Sequence, residues 1–132
     1  MTKDEFLKVI TDNPNLTTHG NGVDNGTQQS FQKERANLLN YYDEANMCEE
    51  FLSKCKRTAN AQDSAGGTYR LKHYVERYHD REYKKGMYIP EGDVHVAAIH
   101  LGFKMMPKGQ TTSVYLNISK KTKIHDKWIN NY

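Results

Sequence analysis

Residues 67–119 constrain the fold of this chain more than any other stretch, because glycine and proline cut them into short alternating elements: GTYRLKHYVERYHDREYKKGMYIPEGDVHVAAIHLGFKMMPKGQTTSVYLNIS. Thr68 is placed to cap a helix. Leu71, Tyr74, Val75 and Tyr78 follow at i, i+3, i+4 and i+7, the spacing of one buried helical face. Arg70, Lys72, Glu76, Arg77, Asp80 and Arg81 make the opposite, mixed-charge face, and Lys84-Lys85-Gly86 ends the helix. Residues 87–89 read as extended and Pro90-Glu91-Gly92 as a turn. Asp93 is a good N-cap for a helix over 94–101. Val94, Ala97, Ala98 and Leu101 form its apolar stripe, and Gly102 sits where left-handed residues close helices. Residues 103–106 and 113–118 read as two strands joined through Pro107-Lys108-Gly109-Gln110, with Val114, Leu116 and Ile118 alternating against Tyr115 and Asn117. Helix, extended segment, helix and hairpin follow in the order of a winged helix.

Upstream, Thr2 and Glu5 have the spacing of a capping box. Phe6, Leu7, Val9 and Ile10 give that helix an apolar side, and Asp12-Asn13-Pro14 stops it. Residues 13–29 are rich in Asn, Gly, Thr and Asp. Asn25-Gly26 is a hairpin-type pair with only Val23 nearby to make a strand, so a flexible loop is expected, with His19 exposed in it. Ser30 is placed to cap a long helix over about 31–59. Its heptad a and d positions are Phe31, Glu34, Leu38, Tyr41, Ala45, Cys48, Leu52, Cys55 and Ala59, and only Glu34 interrupts the apolar seam. Such a seam suits a core helix or a partner helix, including a homodimer. It is also compatible with two helices broken near Asp43. Residues 60–67 read as a linker. In the tail, Ile124, Trp128 and Ile129 suit one helical turn packed on the body. The expected architecture is α+β: an acidic helical part over 1–65 with one long helix, then a basic, winged-helix-like part over 66–132.

Mean hydropathy is −0.90 and hydrophobic residues make up 36%, so the core is thin for 132 residues. Residues 1–65 carry 7 Lys and Arg against 10 Asp and Glu, and residues 66–132 carry 12 against 6. The overall +3 thus conceals halves of −3 and +6. That asymmetry suggests an anionic partner for the second half. No apolar run approaches the ~20 residues of a membrane span, and residues 1–6 carry no signal-peptide core. A cytoplasmic protein with no membrane partner is expected. Cys48 and Cys55 lie about two helical turns apart, too far for a disulfide within one helix. Both are expected as buried thiols.

No nucleophile–base pair is discernible, and the glycines at 20, 22 and 26 lack the strand that a phosphate-binding loop requires. His73, Glu76 and His79 fall at i, i+3 and i+6, with His95 and His100 downstream, which matches no established zinc spacing. No metal, cofactor or catalytic residue is assigned, and the chain is expected not to be an enzyme. Candidate phosphate contacts for nucleic acid are Arg70, Lys72, Lys84, Lys85, Lys104, Lys108, Lys120, Lys121 and Lys123. The 94–101 helix has no Arg, Asn or Gln with which to read bases. It offers Val96 and Ile99, which with Tyr41, Tyr42 and Phe51 form a candidate protein-binding set.

The segments YRLKHYVERY, YIPEGDVHVAAIHLGF and VYLNIS resemble small uncharacterised proteins of phages, plasmids and integrative elements. The resemblance covers residues 69–119 and carries no site residues. It implies a mobile-element setting, where small proteins are commonly DNA-binding regulators or inhibitors of host defence, anti-CRISPR proteins included. Two functions are therefore expected: a non-enzymatic nucleic-acid binder acting through the basic C-terminal part, or an inhibitor that binds a host protein complex.

Overall fold

In a computed structural model, which describes residues 1–24 and 26–132, the chain is a mixed α+β protein of five helices and three two-stranded antiparallel sheets. Asn25, and with it the Asn25-Gly26 pair, lies outside the described residues. Helix α1 spans Lys3–Asp12 and begins with the expected capping box. The Glu5 amide donates to Thr2 Oγ1 at 3.1 Å, and the Thr2 amide donates to Glu5 Oε1 at 2.7 Å.

Residues 13–21, expected as loose loop, form a small hairpin instead. Strand β1 (Leu16–Thr17) pairs with β2 (Gly20–Asn21), and Leu16, Thr17 and Thr18 are buried. Two side chains from the next helix, α2 (Gln28–Leu38), fix this hairpin. Arg35 donates to the carbonyls of Ile10, Asn13 and Leu16, which ties up the end of α1. Thr18 Oγ1 donates to Glu34 at 2.6 Å. Helix α2 is capped by Thr27, whose hydroxyl accepts from the Ser30 amide, rather than by Ser30 itself.

Of the two readings left open for residues 31–59, one long helix or two broken near Asp43, the structure has two helices. Helix α2 ends at Leu38 and α3 runs Tyr42–Ser53. Across the break the amides of Leu39, Asn40 and Tyr41 donate three residues back, the tighter 3₁₀ pattern in which helices terminate. Asp43 and Glu44 then occupy the first turn of α3, where acidic groups favour a new helix start. Ala45, Cys48, Leu52 and Cys55 of the heptad seam are buried in the chain's own core. Of the other seam positions, Leu38 is buried, Phe31 and Tyr41 are half-buried, and Ala59 is exposed.

Helix α4 (Thr68–Tyr83) buries Leu71, Tyr74, Val75 and Tyr78 as the periodicity demands. Helix α5 (Glu91–Leu101) starts three residues before the expected position, with Pro90 as N-cap, and ends at a left-handed Gly102. Every residue from Glu91 to Ala98 is buried, because α3, α4, α1 and the β1–β2 hairpin all pack on α5. Val96, expected at the surface, has no exposure, and Ile99 is half-buried against the Phe6 cluster. A helix enclosed on all sides needs apolar residues all round. That accounts for the lack of base-reading side chains, and α5 has no free face for a DNA groove.

Strand β3 (Met105–Pro107) pairs with β4 (Val114–Leu116) as a hairpin, Met106 opposite Tyr115. The expected linker over 60–67 lies along the other edge of β4. Gly67 bridges to Tyr115, Arg57 to Ile118, and Gln62 donates to the carbonyls of Leu116 and Ile118. In the tail, β5 (Lys123–Ile124) and β6 (Lys127–Trp128) make a third hairpin before a 3₁₀ turn at Ile129–Asn131. Ile124 and Ile129 reach the core, while Trp128 stays largely exposed. One cluster of buried residues joins Cys48, Phe51 and Leu52 to Leu71, Val94, Leu116 and Ile129, so the acidic and basic parts share a core.

Gly92 carries the contact between α5 and the first hairpin. A Cβ there would overlap the Thr17 carbonyl oxygen, and the Gly92 amide donates to Thr18 O at 3.0 Å. Both obstacles are backbone and cannot swing aside. Gly92→Ala is therefore expected to lower unfolding stability in urea by about 3 kcal/mol, whereas Gly86→Ala, which meets nothing within 4 Å, changes it by less than about 0.5 kcal/mol.

Candidate functional site

A fully buried hydroxyl joins three elements. Thr68 Oγ1 lies 2.6 Å from Glu91 Oε2 and 3.0 Å from His95 Nε2, and it accepts from the Val114 amide at 3.1 Å. This occupies the hydroxyl expected to cap α4, and Gly67 takes the N-cap position instead. Burial, the largest single influence on Glu91, pushes its carboxyl up. The polar groups of His95, Ser113 and Thr68 around it together outweigh burial and hold Glu91 below its ordinary value. Asp93, expected as an N-cap, sits fully buried in the first turn of α5, and neither carboxylate oxygen has a partner among the described residues. Burial, and then the nearby charge of Glu44, raise Asp93 well above its ordinary value.

Outside this junction, α4 and β4 border a groove of about 870 Å³. The exposed face of α4 supplies Arg70, His73 and Arg77; β4 supplies Tyr115, the β3–β4 turn supplies Lys108, and Asn130, Asn131 and Tyr132 close one side. Arg70, Arg77 and Lys108 are exposed, and none of their side chains makes an ion pair or hydrogen bond among the described residues. Asp63 is the one side-chain carboxylate that lines the groove among the described residues. Tyr69, 57% exposed, also lines it, and the Lys108 ammonium stands 6.0 Å from the Tyr115 ring centre. The Tyr132 hydroxyl is buried without a partner among the described residues. Convergent unpaired cations beside open aromatic rings suit a ligand that combines phosphates with flat rings.

Among the residues expected to contact phosphate, Arg70 and Lys108 come together here. Lys72 does not: it is buried, with its ammonium donating to Ile89 O at 3.0 Å and lying 3.4 Å from Glu76. Lys84 ends α4 in a left-handed conformation, and the Lys85 carbonyl lies 2.8 Å from His79 Nδ1. Lys104 donates to Ala59 O at 2.6 Å. Lys84, Lys85, Lys104, Lys120, Lys121 and Lys123 are exposed but line no part of the groove.

No protein-family model matches the chain, and no curated protein or solved structure matches it either. Arg77 is the groove cation absent from the expected set. It stands seven residues after Arg70, two turns along the same face of α4, and that period was the signal for it. Nothing local indicated that residues 130–132 would border the groove.

The residues expected to bind protein do not form one open face. Phe51 is fully buried between the rings of Tyr78 and Tyr132, 5.6 and 5.9 Å away edge-on. Tyr42 is half-buried and donates to Met1 O at 2.7 Å, while Tyr41 meets the ring of Tyr88. Val96 is enclosed in α5. The histidines weighed as ligands are also engaged. His79 and His95 are buried, and His73 Nδ1 lies 3.0 Å from Glu76.

The Thr68 junction yields a stability test. Thr68→Val keeps the shape but strands the Val114 amide, Glu91 and His95, for an expected loss of about 3 kcal/mol in urea unfolding, while Thr68→Ser loses about 1 kcal/mol or less. Because the folded value of Glu91 is lowered, its stabilising contribution is full above 4.5 and lost as pH falls through the folded value. For Asp93 the sense reverses: its contribution is full below 3.8 and lost as pH rises through its folded value. Unfolding free energy measured against pH is expected to fall less steeply on the acid side in Glu91→Gln and less steeply toward higher pH in Asp93→Asn, with Glu5, Glu34 and Asp126 keeping part of the acid limb in both.

Proposed function

We propose that the protein is a non-enzymatic nucleic-acid binder that holds a strand along the groove between α4 and β4. The observation that carries this reading is the convergence of three unpaired cations, Arg70, Arg77 and Lys108, with the tyrosines at 69 and 115 around one open cavity. Arg70 and Arg77 are separated by seven residues, ~10 Å along a helix axis. Stacked nucleotides advance ~3.4 Å each along a strand. The two guanidiniums therefore match phosphates about three nucleotides apart. A single strand suits the site better than a duplex: tyrosines inside a concavity offer faces for unpaired bases, which a duplex keeps stacked on each other. Enclosure of α5 argues in the same direction, since the major-groove mode of a winged helix requires that helix to be free. The resemblance of residues 69–119 to mobile-element proteins supplies the setting proposed here, a phage or plasmid protein acting in the cytoplasm.

Fluorescence anisotropy with labelled single-stranded and duplex DNA and RNA, at about 50 and 200 mM salt, tests the proposal. The expected result is salt-dependent binding that favours single strands. Replacing Arg70 and Arg77 together with Glu is expected to weaken binding at least about tenfold and to flatten the salt slope by about 0.7 for each phosphate left without its arginine. Replacing Lys120, Lys121 and Lys123 with Ala is expected to change affinity by less than about threefold, the modest effect of exposed charge outside the contact surface. Absence of binding at the lower salt, or capture of a protein partner through Arg70 and Arg77 with no nucleic acid involved, overturns it.

A further inference from the structure

The groove face of α4 sets a titratable ring between its two arginines. His73 follows Arg70 by three residues and precedes Arg77 by four, so the three stand within about 60° of one another around the helix, at steps of ~4.5 and ~6 Å along its axis. All three line the groove, and the His73 side chain is 41% exposed. Its ring is committed at one nitrogen. Nδ1 lies 3.0 Å from Glu76 Oε1, while Glu76 Oε2 accepts from the Ile89 amide at 2.9 Å and from the Lys72 ammonium at 3.4 Å. A carboxylate only accepts, so Nδ1 carries a proton. The ring also meets that of Tyr69 edge-on, with centroids 4.9 Å apart. Nε2 has no hydrogen-bond partner among the described residues. In the neutral ring this nitrogen presents a lone pair, which repels a phosphate oxygen. In the imidazolium it is a charged donor, which attracts one.

We infer that His73 is a proton-linked phosphate contact, which holds the strand only as the imidazolium and so couples nucleic-acid affinity to pH. The inference rests on the groove reading above and adds one contact to it, on the backbone between the phosphates assigned to Arg70 and Arg77. The charged and titratable groups around His73 set the sign of the coupling. On α4 these are Tyr69, Arg70, Lys72, Glu76 and Arg77. From the rest of the groove they are Asp63 of the preceding segment, Lys108 and Tyr115 of the β3–β4 hairpin, and Tyr132 of the tail. Lys72 and Glu76 are paired with each other. The remaining three cations outnumber Asp63, so a phosphate entering the groove brings the negative charge that favours an imidazolium. Binding therefore draws one proton from solvent onto Nε2, and affinity rises as pH falls.

Anisotropy with labelled oligothymidylate, over a salt series at about pH 6 and about pH 8, tests the coupling across the range in which histidine changes charge. The wild-type protein is expected to bind roughly fivefold more tightly at the lower pH. Its salt slope is expected to steepen there by about 0.7, the mark of one more neutralised phosphate on a single strand. His73→Gln, which cannot take up the proton, is expected to keep the weaker affinity and one salt slope at both pH values. His73→Arg, charged throughout, is expected to bind at the higher pH as tightly as the wild type does at the lower. His125→Gln is the control, because that ring stacks on Tyr78 beside the tail wall of the groove, and it is expected to keep the wild-type pH dependence. An affinity that does not rise as pH falls, or a rise that survives His73→Gln or vanishes in His125→Gln, overturns the contact and leaves the groove standing. Failure of the wild-type protein to bind at either pH overturns both.

Discussion

The Thr68 hydroxyl is the interaction on which the rest of this structure depends. A threonine hydroxyl has one proton and two lone pairs, and here all three are used. Glu91, held ionised, takes the proton, and the Val114 amide fills one lone pair. The group 3.0 Å away on His95 must therefore donate, which fixes His95 with its proton on Nε2. One buried oxygen thereby sets the start of α4 against the start of α5 and against β4. Charged and polar groups are costly in a core unless each finds its partner. This small set is nearly closed, and its members come from positions far apart in the chain.

Much of the fold was legible because local chemistry specified it. The Thr2–Glu5 box, the apolar face of α4, the glycine closing α5 and the β3–β4 hairpin all follow from spacings of a few residues. What was not legible is which surfaces end up covered. In isolation the α5 sequence has an apolar stripe and a remainder, and the remainder was assigned to solvent. Its cover comes from α1 and from a two-by-two-residue hairpin at 16–21, in which only the threonines favour a strand and Gly20 and Asn21 disfavour one. That hairpin forms because Arg35 and Glu34 of α2 supply it with hydrogen bonds and because Gly92 lets its backbone approach. The break between α2 and α3, one of two readings the sequence allowed, was left undecided for a related reason. A heptad seam runs through it without interruption, and only the three tightened turns at 39–41 redirect the chain.

The groove shows the same division. Its α4 wall lay open in the sequence as Arg70, His73 and Arg77, one helical face, yet a mixed-charge face on one helix is ordinarily only solvated. It becomes a concavity through the opposing wall, where Tyr115 and Lys108 arrive from the β3–β4 hairpin and residues 130–132 from the tail. The +6 charge of the second half is correspondingly a poor guide to the site. Lys72 is buried, Lys104 is bonded to the 59 carbonyl, Arg81 is paired with Asp126, and the lysines at 120–123 lie elsewhere on the surface. Around the groove, three cations stand together and unpaired among the described residues, so location rather than net charge decides where an anion can be held.

Fold and site meet in five consecutive residues. At Gly66 the stem of Arg70 occupies the space a side chain would need, with Arg70 Cδ 2.6 Å from where the Cβ would stand. At Gly67 the Lys108 stem does the same at 3.1 Å, so two of the three groove cations lie against bare backbone. Thr68 then pins that backbone to α5 and β4. Tyr69, the next residue, lines the groove, and Arg70 returns over Gly66. Placing functional side chains on a segment held by a buried, nearly saturated hydrogen-bond junction restricts their motion without using their own polar groups for stability. Arg70 thus keeps its guanidinium unpaired, and Tyr69 its ring open, because Thr68 has taken over the work of holding them in place.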